Sequence, residues 1–79
     1  MTDVIKVWED TDLKGVHVKC EYNIETRQYS VTVSYKHVSY SETFDAAFVP
    51  KFGPDTSDMA IAIKIAEKLA DKIDEEFNL

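Results

Sequence analysis

Cysteine is nearly absent from this 79-residue chain: Cys20 stands alone, so no disulfide can form within it. Glycine and proline are scarce, two of each. With only Gly15 and Gly53 there is no glycine-rich loop to cradle a phosphate. Histidine is limited to His17 and His37, and no CxxC or HxxxH spacing offers a metal-ligand motif. No run approaches the roughly 18 apolar residues of a membrane span. The opening "MTDVIKVWEDTD" carries acids where a secretory leader needs bases, so a cytoplasmic setting is expected. Repeats, low-complexity tracts and linker-like stretches are also missing, which fits one small domain over residues 1–79.

Positive charge is short as well. Nine bases face fifteen acids, for a net charge of −6. Residues 1–40 hold five bases and six acids, whereas residues 41–79 hold four bases and nine acids. The negative field therefore lies on the C-terminal half. It opposes direct binding to nucleic acid or to an anionic membrane and suits a basic protein surface.

What is present is pattern. In "GVHVKCEYNI", Val16, Val18, Cys20, Tyr22 and Ile24 alternate against His17, Lys19, Glu21 and Asn23. In "YSVTVSY", Tyr29, Val31, Val33 and Tyr35 do the same. Period-two alternation rich in Val and Tyr marks half-buried strands. For both apolar sets to face one core, paired residue numbers must sum to an odd value. Ile24 opposite Tyr29 and Tyr22 opposite Val31 is the expected register, around a loop at "ETRQ". "VIKVWE" is a shorter strand candidate, and "DTDLKG" supplies a turn with Gly15 available for positive φ. The parity shift at Val38, Tyr40 and Phe44 requires either a bulge near Lys36–His37 or a turn into a fourth strand. Strands are thus expected at about 3–9, 16–24 and 28–36, with 38–44 as a further candidate, and a loop from Phe44 to Phe52.

Asp55, Thr56 and Ser57 are plausible helix N-caps, and Asp58 suits a first turn. At 100° per residue, Met59, Ala62, Ile63, Ile65, Ala66, Leu69, Ala70, Ile73 and Phe77 share an arc of about 160°. A helix over about 57–77 follows. The expected class is α+β in two layers: an antiparallel meander of three strands, or four, covered on one face by a long C-terminal amphipathic helix. One oddity is the tail "DEEFNL", because carboxylates in a last turn oppose the helix dipole.

Chemistry is hard to find. His17 is expected to point away from the core, His37 toward it opposite Val16, and Cys20 inward, so the three do not converge. No serine sits in a GxSxG elbow, and a thiol in an apolar strand should be poorly ionised. The carboxylates of Asp71 and Glu75 lie on a solvated helix face. No catalytic residue, cofactor or metal site is expected. Strands followed by "FGPDTSDMAIAIKIAEKLADKI" superficially resemble the C-terminal two-thirds of a double-stranded RNA-binding domain. That family grips phosphates with a basic helix N-terminus. Here Asp55, Ser57 and Asp58 occupy the matching positions and the family's N-terminal helix is missing, so RNA binding does not carry over.

The expected function is a non-enzymatic, acidic protein-interaction module that binds a basic partner. By size and charge it is comparable to phage inhibitors such as anti-CRISPR proteins and DNA mimics. The candidate contact residues are Glu67, Asp71, Asp74, Glu75 and Glu76, with Trp8 and Tyr40 as the aromatics not claimed by the core face. The alternatives are a subunit of a homo-oligomer, pairing through a sheet edge, or a minor enzyme or ligand-binding domain with its site at a dimer interface.

Overall fold

The computed structural model describes residues 3–46 and 56–79. Four strands, β1 (Val4–Thr11), β2 (His17–Asn23), β3 (Gln28–Tyr35) and β4 (Val38–Asp45), form an antiparallel sheet in the order β1-β2-β3-β4. One helix, α1 (Thr56–Phe77), packs on one face of that sheet. The expected α+β class holds, and the fourth strand is present. The parity shift after Tyr35 is a two-residue turn at Lys36–His37, with Tyr35 paired to Val38. Lys36 accepts a φ of 53° there. Phe44 and Asp45 belong to β4 and not to a crossing loop, and Ala46 N–H still bonds to the Arg27 carbonyl; residues 47–52 of that proposed loop, like Pro54 and the Asp55 cap, lie outside the described residues.

The β1–β2 turn is built on Asp12. Its Oδ1 accepts from the backbone N–H of Lys14 and of Val16, while its carbonyl accepts from Gly15 N–H. Gly15 closes the three-residue loop at a φ of +94°. A Cβ at position 15 would lie 3.7 Å from Tyr35 Cε1, so space is not the constraint and backbone conformation is. Gly15→Ala is therefore expected to lower the stability by about 1–2 kcal/mol, read as an earlier urea midpoint at unchanged slope.

The β2–β3 register has the expected parity but is displaced by two residues. Tyr22 pairs with Tyr29, Cys20 with Val31 and Val18 with Val33. The reason is Asn23. Its side-chain oxygen accepts from the N–H groups of Glu25 and Thr26, and Arg27 N–H returns to the Asn23 carbonyl, with Arg27 at a φ of 58°. This draws Ile24 into the loop, where it is exposed. The shift aligns Tyr22, Tyr29 and Phe44 across three strands, with successive ring centroids 4.9 and 5.0 Å apart. Aromatic pairs at such distances contribute about 0.5–1.5 kcal/mol each beyond burial.

In β1 the register slips between Lys6 and Trp8, leaving Val7 without a partner. This bulge settles the ambiguous alternation of that strand. Val7 and Trp8 both pack against the cluster of Cys20 and Tyr29, while Ile5, opposite Tyr22, stays about half exposed. The core under the helix has two parts, one around Cys20, Tyr29, Val31 and Ala62, the other around Val16, Val33, Leu69 and Ile73; Ile65 touches both.

The sheet covers less of α1 than its apolar arc offers. Ala62, Leu69 and Ile73 are buried, together with Asp58 in the first turn at 0% exposure. Ile63, on the expected arc, is 46% exposed. One flank of the apolar stripe, Met59–Ile63–Ala66, is therefore left facing sideways.

The acidic tail is anchored. Asp74 accepts from Lys14 Nζ at 3.2 Å, and Tyr40 donates its hydroxyl to Glu76 Oε2 at 2.5 Å. Phe77 packs edge-on to Tyr35 at 4.9 Å. Asn78 then takes a φ of 56°, and Leu79 N–H bonds to the Asp74 carbonyl at 3.0 Å. That is the closing hydrogen bond of a Schellman motif, with Asn in the usual glycine position.

Candidate functional site

Going round the helix, the sides differ in chemistry. On the β4 side, Lys68 Nζ meets Glu42 Oε2 at 2.6 Å, and Lys72 Nζ stands 4.9 Å from the centre of the Tyr40 ring. On the β1–β2 side the uncovered apolar flank faces the sheet across an open groove of about 400 Å³. Trp8, Val18, Met59, Ile63 and Ala66 line it, with Asp10 and Glu67 at its margin. Trp8 reaches it because of the β1 bulge, and Asp10, opposite Val18, shares its side of the sheet.

Helical geometry places Asp71 and Asp74 within about 60° of Glu67, so the acidic margin continues along α1. Asp71 and Glu75 are exposed, while Asp74 is partly shielded and holds Lys14. Of the residues singled out from the sequence, Trp8 and Glu67 thus meet in the groove. Tyr40 and Glu76 meet each other on the opposite side of α1, where the Glu76 carboxylate holds the Tyr40 hydroxyl above its ordinary pKa. The sequence reading missed Asp10, Val18, Met59, Ile63 and Ala66 as lining residues. Only the bulge and the incomplete helix cover bring them together.

His17, His37 and Cys20 do not converge. His17 faces away from the helix, as expected, and bridges Thr11 Oγ1 (2.8 Å) and Glu9 Oε2 (2.8 Å) on the polar side of the sheet. The hydrogen bonds from His17 and Lys6 hold the Glu9 carboxyl below its usual range. Beside this Thr–His–Glu chain, the Thr11 N–H that could have served an oxyanion is bound to Asp10 Oδ1 at 2.9 Å. His37 is not on the core side of a strand; it sits exposed in the β3–β4 turn, 6.4 Å from the Phe77 ring. Cys20 is fully buried, and burial pushes its thiol up to about 11, which suits a structural cysteine. Among the described residues no cluster of three or more His, Cys, Asp or Glu is placed to hold a metal ion, and no helix is long and apolar enough to cross a membrane.

A scan against protein-family models, a search of curated proteins and a search of solved structures each return no match, so the groove and its charges carry the functional reading by themselves.

Proposed function

We propose that this protein is a non-enzymatic binding module that takes an amphipathic, basic segment of a protein partner into the groove between β1–β2 and α1. The observation that carries this is an apolar floor bounded by carboxylates: Trp8, Val18, Met59, Ile63 and Ala66 beside Asp10 and Glu67. Apolar anchors of a partner helix or strand fill the floor, and its Lys or Arg residues meet Asp10, Glu67, Asp71 and Glu75. The net charge of −6 draws such a partner in and repels acidic ones. An acidic module of this kind is suited to occupying a surface that its basic target uses for something else. That is the inhibitor or modulator role of phage-type proteins, in a cytoplasmic setting.

Trp8 is the sole tryptophan and lines the groove, so it reports on occupancy. Titration with a designed helical peptide carrying Leu on one face and Lys on its flanks is expected to shift Trp8 emission saturably. Its Glu-flanked counterpart should leave it unchanged. Asp10→Lys with Glu67→Lys should weaken the response at least tenfold, which corresponds to about 1.4 kcal/mol. Equal responses to both peptides, or none to either, would overturn the reading.

A further inference from the structure

The two edges of the sheet are not equivalent. Ala46 N–H bonds to the Arg27 carbonyl, which fixes the parity of the β3–β4 ladder: Val38, Tyr40, Glu42 and Phe44 direct their backbone groups toward β3. Ser39, Ser41, Thr43 and Asp45 therefore direct their N–H and C=O groups outward from what is, among the described residues, the last strand of the sheet. β4 runs eight residues without a bulge, a proline or a lysine, and its outward residues are three short hydroxyls followed by Asp45 at its end. β1, at the other edge, is interrupted at Val7, and its outward positions carry the Lys6–Glu9 ion pair. Bulges and charges are the usual means of blocking edge pairing; β4 has no bulge, and the charge among its outward positions is Asp45 at the strand end, which accepts from Gln28 Nε2 at 2.9 Å.

We infer that β4 pairs antiparallel with β4 of a second copy about a twofold axis at Ser41, joining two four-stranded sheets into one of eight. This register sets Ser39 opposite Thr43, Tyr40 opposite Glu42 and Val38 opposite Phe44, and forms about six inter-chain backbone hydrogen bonds. A shift of the axis to Glu42 would place two carboxylates face to face, which is unfavourable. With the axis at Ser41, charges alternate: the Lys72 that stands over Tyr40 in one copy approaches Glu42 of the other, and Lys68 already neutralises Glu42 in its own copy. The interface lies on the flank of α1 away from the groove, so it neither blocks the proposed partner site nor depends on it.

Sedimentation equilibrium over a concentration series tests this. The full chain is expected to approach twice its 9.0 kDa mass. Ser41→Pro removes an N–H that β3 does not use, so it should give a monomer with an unchanged far-UV spectrum and an unchanged Trp8 response to the basic peptide. Ser41→Cys provides a second arm that does not rely on that variant folding. Directly opposed residues of such a pair lie about 5.5 Å apart at Cα, within disulfide range. Ser41→Cys should oxidise rapidly to a covalent dimer, and Ser39→Cys, whose opposite number is Thr43, should do so far more slowly. A wild-type monomer at every concentration, a dimeric Ser41→Pro, or equal cross-linking of the two cysteine variants would overturn the inference.

Discussion

Ile73→Ala is expected to cost about 2–5 kcal/mol, while Ile63→Ala, ten residues earlier on the same helix, should cost less than about 0.5 kcal/mol. Ile73 is 0% exposed and packs in the cluster of Val16, Val33 and Leu69. Removing three carbons there loses their transfer free energy and leaves a cavity that a sheet on one side and a helix on the other cannot close. A domain of this length has roughly 4–12 kcal/mol in total, so the variant sits near the folding threshold. Ile63 borders open groove, and its truncation removes little buried surface. Urea unfolding followed by circular dichroism checks the pair. Equal losses in the two variants would mean that the groove is closed in solution.

Alkaline pH is expected to destabilise the protein from about pH 9 upward. Burial, then the Glu21 charge, pushes the Cys20 thiol from 9.0 up to about 11. Burial, then the Asp58 carboxylate, pushes the Tyr29 hydroxyl from 10.0 up to about 12. In both groups the folded state holds the proton more tightly than the unfolded chain does. Their stabilisation is therefore complete below about pH 9, and it is lost between about 9 and 11 for Cys20 and between about 10 and 12 for Tyr29. A gap of two pH units corresponds to on the order of 3 kcal/mol for each group. The urea midpoint should fall steeply from pH 9 to 12. Tyr29→Phe should flatten the upper part of that fall while leaving the lower part, due to Cys20, in place. A midpoint constant across this range would show that neither group is shielded from water in solution.

The oddity of the acidic tail is resolved by contacts far away in the chain. Asp74 is held by Lys14 of the first turn and Glu76 by Tyr40 of β4, while the Schellman closure at Asn78 caps a carbonyl that the dipole leaves exposed. Neither Lys14 nor Tyr40 is near the tail in sequence. Both arrive there because α1 crosses the sheet with its C-terminal end close to the β1–β2 turn and β4.

Local regularities in the sequence determined the class of fold. Alternation specifies a half-buried strand and an apolar arc specifies a one-sided helix whatever lies opposite them, because side-chain direction follows from backbone geometry alone. Gly15 and the tyrosine–valine face are therefore legible in one dimension. The exact β2–β3 register was not, since it turns on which backbone N–H groups the Asn23 side chain captures, and parity permits every second alignment. Nor was the groove. It exists because a single unpaired residue, Val7, redirects Trp8, and because the sheet is too small to cover the whole apolar arc of α1. Net negative charge was readable from composition. Which carboxylates border apolar surface and which are spent holding the fold together was decided only by tertiary packing, because that depends on distances between segments up to 60 residues apart, as in Lys14 and Asp74.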